Sequence, residues 1–147
     1  MLLNQNEVNE LLSMLKSLRN NNRVTFPTSG ESIALEAESN STNDKFLIDI
    51  NRKGQITFRC TYQTRFKKSN ILLRLDLQGP AHTNPDMTKI PVPHLHIWRE
   101  GFEDRWAYPL GDHIDTDPEN LVNVLIAFLE YNNFTEVPSI VEQHTLF

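Results

Sequence analysis

Three of the five histidines in the chain, His82, His94 and His96, fall within a stretch of fifteen residues. Around them stand Arg74, Asp76, Asn84, Asp86, Trp98 and Arg99. On a strand, His94 and His96 project to one face, and so do Arg74 and Asp76 on the preceding predicted strand. Antiparallel pairing of those two strands would bring an arginine, an aspartate and two imidazoles onto one face of a sheet. His82 and Asp86, on the connecting loop, could then fold over them, as functional side chains on loops held by a rigid sheet commonly do.

Such a set suits several chemistries. Two neutral imidazoles and a carboxylate can bind a divalent transition metal and leave positions open for water. A histidine pair with an arginine can instead cleave RNA without a metal: one imidazole takes the 2′-hydroxyl proton, another protonates the leaving oxygen, and the arginine stabilises charge on the phosphate. A histidine-triad hydrolase needs three alternating histidines along a strand. Here the third place is Trp98, so the nucleophilic position is missing and that chemistry is rejected. The structural alternative is a hydrogen-bonded rim that locks the proline-rich turn in place, with Arg74 and Asp76 as a partly buried pair. Arg99, Arg105 and Trp98 are candidates for substrate contact, and Trp106 and Tyr108 could stack on unpaired bases. Trp106 also reads as core. His113 and His144 read as exposed loop histidines.

The elements that must position these residues follow from periodicity. Asn4 and Glu7 have the spacing of a helix-capping box, and Val8, Leu11, Leu12, Leu15 and Leu18 recur at helical spacing, predicting a helix over 5–19. Residues 23–29 read as a connector. From 31 to 108 the period becomes two. Ile33, Leu35 and Ala37 mark one strand and Phe46, Ile48 and Ile50 a second, followed by a tight turn at Arg52-Lys53-Gly54-Gln55. Ile56, Phe58, Cys60 and Tyr62 mark a third. Ile71, Leu73, Leu75 and Leu77 mark a fourth, with Leu72, Arg74 and Asp76 on its other face. His94–Arg99 is a fifth, and Trp106–Tyr108 a short sixth. Asp117-Pro118-Glu119 has the chemistry of a helix start, and Leu121, Val122, Leu125, Phe128 and Leu129 give that helix an apolar face ending at Tyr131-Asn132-Asn133. The type of any element in the last dozen residues is not readable. The expectation is one α+β domain spanning 1–147: an antiparallel meander of five or six strands flanked by an N-terminal and a C-terminal helix.

Composition narrows the function classes. A chain of 147 residues is long enough to bury roughly 68–70% of its unfolded surface without metal or disulfide staples. No stretch approaches the about 20 apolar residues that cross a bilayer, and the N-terminus lacks the pattern of a signal peptide. Cys60 is the only cysteine, which rules out an intrachain disulfide and fits a reducing, cytoplasmic location; its phase with Tyr62 makes it a small core residue. The net charge of −5 argues against a general electrostatic grip on nucleic acid. Arg59, Arg65, Lys67 and Lys68 remain a local basic strip, with a solvated strand face and turn as the alternative.

The stretch from Ile71 to Leu110 resembles an uncharacterised family of small bacterial proteins frequently encoded on prophages and plasmids. The residues that carry the resemblance are Leu73-Arg74-Leu75-Asp76, Gly79, His82, Asn84-Pro85-Asp86, Pro93-His94-Leu95-His96-Ile97, Glu100-Gly101 and Trp106-Ala107. The two helices and the strand Phe46–Arg52 also fit, so the match covers most of the chain. It brings no established activity. A looser similarity, over about twenty-five residues, reaches the TumE-type toxin ribonucleases of toxin–antitoxin pairs, with Arg74, Asp76, His82, Pro93, His94 and His96 as counterparts. This chain departs from their pattern in having Ala81 between Pro80 and His82 and Leu95 between its two histidines.

Two expectations result. The first is a toxin-like endoribonuclease or phosphodiesterase of a mobile element, with His82, His94, His96, Arg74 and Asp76 as catalytic candidates and RNA as partner. The second is a phage- or plasmid-encoded inhibitor that docks on an antitoxin or a host (defence) factor, its histidine cluster being structural. A metal-dependent hydrolase is a third, and it needs His82, His94 and His96 near one ion. The residues name no cofactor and no metal, and they fit a homodimer as well as a monomer.

Overall fold

The computed structural model describes residues 2–20, 22–53 and 59–143. The first helix, α1 (Gln5–Ser13), opens with the predicted box: Asn4 Oδ1 accepts the Glu7 N–H at 2.8 Å, and Glu7 Oε1 accepts the Asn4 N–H at 3.2 Å. It stops well short of residue 19, because Lys16–Leu18 leaves the helix to form strand β1. Lys16 is wholly buried, and its ammonium donates to the carbonyls of Leu12, Met14 and Asn132 at 3.2, 3.0 and 2.8 Å. Two of those carbonyls, Leu12 in the last turn of α1 and Met14 just after it, lie where a helix leaves its acceptors unpaired,. Leu15, in phase on the predicted helical face, is 59% exposed.

The connector expected at 23–29 holds a strand, β2 (Arg23–Phe26), with Val24 and Phe26 buried. The meander follows as β3 (Ser32–Ser39), β4 (Lys45–Asn51), β5 (Thr61–Phe66) and β6 (Asn70–Asp76). A small hairpin interrupts it, β7 (His82–Thr83) and β8 (Lys89–Ile90), before β9 (His94–Ile97) and β10 (Ala107–Pro109) complete the sheet. The strand order is β1-β3-β4-β5-β6-β9-β10, and every neighbouring pair is antiparallel. The architecture is therefore α+β as expected, with β1 added to the six strands that the alternation marks. Ile56, Phe58 and the Gly54-Gln55 turn lie outside the described residues, as does His144.

One face of the sheet is apolar. Ile48, Ile50, Tyr62, Leu73, Leu75 and Leu95 are buried there in one cluster with Val124, Leu125, Phe128 and Leu129 of α2 (Leu121–Tyr131). Two polar ties fix the helix on the sheet: the Tyr62 hydroxyl donates to the Leu121 carbonyl at 2.6 Å, and the Thr64 hydroxyl donates to Asn132 Oδ1 at 2.6 Å. The helix starts later than the Asp-Pro-Glu motif predicts. Asp117 instead closes a turn, accepting the Glu119 N–H at 3.0 Å, and Asn120 is the cap, accepting the Asn123 N–H at 3.0 Å. Both residues can cap, and the apolar face that meets the sheet begins only at Leu121. Cys60 is fully buried, and burial pushes its thiol up to about 11.

A bulge corrects the alternation on β6. Thr64 pairs with Leu73 and Arg65 with Ile71, so Leu72 is the extra residue, and it is buried beside Leu73 instead of sharing the face of Arg74,. The last element, β11 (Ser139–Glu142), pairs in parallel with β2 and joins the two ends of the chain. At each edge of the main sheet one residue has its outward backbone groups occupied. On β10, Asn84 offers its amide as a surrogate peptide, donating to the Ala107 carbonyl at 2.9 Å and accepting its N–H at 2.8 Å. On β1, Lys16 N–H donates to the Asn133 carbonyl, and the Lys16 carbonyl accepts the Thr135 N–H, both at 3.0 Å. Among the described residues, no helix is long and apolar enough to cross a membrane.

Candidate functional site

The face of the sheet away from α2 is polar and lines an open groove of about 830 Å³. Strand register arranges its side chains in two parallel rows. One runs Ser32, Asn51, Thr61, Asp76, His94, and the other Ala34, Asp49, Gln63, Arg74, His96. Arg74 lies opposite His96 and Asp76 opposite His94, the pairing that puts an arginine, a carboxylate and two imidazoles on one face,. The β7–β8 hairpin carries His82 over them. The ring centroids are 4.6 Å apart for His82 and His96, 5.0 Å for His94 and His96, and 6.1 Å for His82 and His94.

Backbone carbonyls fix the orientation of all three rings. Because a carbonyl only accepts, the nitrogen facing it carries hydrogen. His94 Nδ1 donates to Ile90 O at 3.2 Å, His96 Nδ1 to Asp104 O at 2.8 Å, and His82 Nε2 to Arg105 O at 2.7 Å. The Nε2 atoms of His94 and His96 then converge on Asp76 Oδ2, at 3.1 and 3.3 Å. Arg74 completes the cluster: Nε is 3.3 Å from Asp76 Oδ2, Nη2 is 3.0 Å from His96 Nε2, and Nη1 is 3.4 Å from Asp104 Oδ2. Thr61 donates its hydroxyl to the other oxygen, Asp76 Oδ1, at 3.1 Å. Burial alone would raise the Asp76 carboxyl. The hydrogen bonds from His94 and His96 and the charge of Arg74 outweigh it and hold the group well below the usual carboxylate range,.

Accessibility divides the set. His94 and His96 are only 2% and 1% exposed, whereas the side chains of Asp76 and Arg74 are 19% and 30% exposed and His82 is partly exposed. A ligand in the groove meets Arg74, Asp76 and His82 first, with the two strand imidazoles beneath. Arg59 and Arg65 of the basic strip also line the groove. Arg65 is committed to Asp49 through two contacts, Nε–Oδ2 at 2.5 Å and Nη2–Oδ1 at 2.9 Å. Lys67 and Lys68 form the β5–β6 turn with positive φ. Gly79, at φ 125°, turns the chain away from β6 close to Arg59, whose Nη2 would lie 3.4 Å from a Cβ there,.

Arg99, Arg105, Trp98 and Asp86 are not brought into this groove. Trp98 is core, 6% exposed. The Arg99 guanidinium lies 4.3 Å from the centre of the Trp106 ring, which packs edge-on against Phe102, so Trp106 is a half-buried stacking partner and not part of the core. Arg105 donates to the carbonyls of Phe102 and Gly101 and shapes the turn that receives His82. Asp86 caps the Thr88 N–H at 3.0 Å on the hairpin. His113 is exposed, between Tyr108 and Tyr131. Sequence reasoning missed Thr61 and Asp104 as members of the cluster. Thr61 was legible only as the face partner of Arg59. Asp104 lies in an irregular turn whose pairing with Arg74 no periodicity could signal.

Among the described residues, Asp76, His94 and His96 form a group whose potential ligand atoms all lie within 4.8 Å of one another. His82 is outside that group, so the expectation of a three-histidine ion site is corrected: its Nε2 is turned to Arg105 O, and the carboxylate takes its place. No curated protein and no solved structure matches the chain. A family of unknown function, DUF6978, matches residues 3–134, a span that holds the whole seven-stranded sheet, α2 and every residue of the cluster. The chain belongs to that family of unknown function.

Proposed function

We propose that the chain is a phosphodiester-cleaving hydrolase acting on RNA, with the groove as its active site. One observation carries this reading: a guanidinium, a carboxylate and three imidazoles meet at one end of an 830 Å³ polar groove that also holds Arg59 and Arg65. Arg74 contacts the phosphate and stabilises its developing charge. His82 is the imidazole that reaches the substrate. With Nε2–H held by Arg105 O, its Nδ1 carries the lone pair and serves as general base towards a 2′-hydroxyl; as the 2′-oxygen bonds to phosphorus the P–O5′ bond breaks, and the leaving oxygen takes a proton from solvent,. Asp76, oriented by His94, His96 and Thr61, positions Arg74 through the 3.3 Å contact with its Nε. The looser similarity to TumE-type toxins agrees with this chemistry and with a role on a mobile element. The net charge of −5 requires that substrate be held locally, at the arginines of the groove.

Labelled single-stranded RNA incubated with the purified protein tests the reading, with and without chelator, beside His82→Ala and Arg74→Ala. Cleavage by wild type and its loss in folded variants supports it. Absence of cleavage under every condition removes it.

A second reading has one observation in its favour. The near-complete burial of His94 and His96 also suits a structural cluster in a protein that docks on an antitoxin or a host factor. In that case replacing either histidine lowers the melting temperature, and surface residues far from the groove govern partner binding.

A further inference from the structure

We propose that Asp76, His94 and His96 form a binding site for one divalent transition-metal ion of the zinc or cobalt(II) class, facing the groove. The proposal goes beyond the hydrolase reading and stands independently of it. Each of the three residues offers one ligand atom, and the atoms lie within 4.8 Å of one another. Imidazole and carboxylate together are the donor set that such ions take.

The surroundings are those of metal-ligating histidines, which usually donate their second nitrogen to a carbonyl or carboxylate. Here His94 Nδ1 donates to Ile90 O and His96 Nδ1 to Asp104 O. Both rings are thereby turned so that Nε2 faces Asp76 Oδ2 at 3.1 and 3.3 Å. The convergence needs positive charge at that point, supplied by protons on the Nε2 atoms, by the Arg74 guanidinium or, in their place, by a metal ion,. The sheet enforces the convergence, because Asp76 and His94 are direct cross-strand partners and His96 is two residues further on the same face,.

Arg74 supplies part of that positive charge, with Nη2 3.0 Å from His96 Nε2 and Nε 3.3 Å from Asp76 Oδ2. Its side chain is 30% exposed, and Asp104 already holds Nη1 at 3.4 Å. The guanidinium can therefore withdraw towards Asp104 and the groove when an ion enters. Arg74 and the metal compete for the same two atoms, and that competition gives the site a signature that adventitious surface binding lacks.

The experiment is titration of the chelator-stripped full chain with Co²⁺, read by visible absorption, and with Zn²⁺, read by calorimetry. Wild type, Asp76→Asn, His94→Ala and Arg74→Met are compared, and circular dichroism checks that each is folded. The expected result is one equivalent per chain, weakened by at least about tenfold in Asp76→Asn and His94→Ala. In Arg74→Met, without the competing cation, binding should be tighter by about tenfold. Absence of binding by both wild type and Arg74→Met overturns the proposal, as does stoichiometric binding unchanged in Asp76→Asn. The nuclease assay fails separately. Metal bound at this site without RNA cleavage keeps the site and removes the hydrolase reading, whereas cleavage in chelator by a protein that binds no metal does the reverse.

Discussion

Two charged groups of the sheet, Lys16 and Asp76, are held in opposite ways. Lys16 is fully enclosed, its ammonium saturated by three carbonyls from α1, the residue after it, and the end of α2. Asp76 has donors of comparable number, yet its side chain is 19% exposed and its neighbours open onto a groove. Lys16 ties helix ends to an edge strand, and nothing in its geometry leaves room for a ligand. Asp76 is held by groups that are themselves chemically versatile, an arginine and two imidazoles, and one of its neighbours, His82, rides on a separate hairpin. A buried charge whose partners are backbone is a clasp. One whose partners are titratable side chains beside a cavity is a candidate for function.

Substitutions at the two places should separate stability from activity. The largest effect on folding is expected at the closed site. Lys16→Met leaves three carbonyls without their donor and should cost on the order of 3 kcal/mol, seen as a lower urea midpoint with unchanged slope. A variant that unfolds at the wild-type midpoint would break the comparison. At the open site the loss should be kinetic. His82→Ala should reduce RNA cleavage by about 100-fold or more while its melting temperature stays within a few degrees of wild type, because His82 contributes little to the core. Equal losses of stability and activity would make His82 another clasp.

A smaller effect sharpens the contrast. Asn84 is 4% exposed and holds the β7–β8 hairpin, and with it His82, against Ala107. Asn84→Ala should cost about 1–2 kcal/mol and lower cleavage as well, since it loosens the support of the proposed base. The subtlest test is pH. Burial pushes the Lys16 ammonium down from 10.5 to about 8, so between those values the unfolded chain binds more protons than the folded one. Stability from this group therefore rises with pH, by on the order of 1 kcal/mol between pH 8 and 9. Cys60, pushed up to about 11 from 9.0, acts in the opposite direction above pH 9. Wild type should be compared with Lys16→Met, whose stability lacks the rise, and a parallel pair of curves would refute the assignment to Lys16.

The same contrast explains what could be read from the sequence. The period-two alternation located most of the meander, although it centred the third strand on Ile56–Tyr62 while β5 runs Thr61–Phe66, and the face-sharing of Arg74 with Asp76 and of His94 with His96 followed from it. Whether those faces met depended on β6 pairing with β9 across the hairpin, which alternation suggests but does not fix. The leucines after residue 13 misled because helical spacing carries no information about the long-range pairing of Lys16 with Ser39 and Asn133. β2 was missed for the same reason: its partner, β11, lies at the other end of the chain. Leu72 was assigned to the polar face because a bulge changes the side-chain phase by one residue without leaving a mark in composition. Arg99, Arg105 and Trp98 had suitable chemistry and sequence proximity, but the turn from 100 to 106 uses the two arginines for itself and Trp98 packs into the core.

The side-chain amide of Asn84 has a consequence at the scale of many molecules. A sheet edge with free N–H groups is a template on which another copy can add a strand, and repeated addition leads to fibres. On β10 the Ala107 N–H already has its acceptor in Asn84, and Pro109 has no N–H to offer. At the far edge, Asn133 and Thr135 occupy the backbone groups of Lys16. A seven-stranded sheet finished in this way has little with which to recruit its own kind, so the protein should tolerate high local concentrations without polymerising.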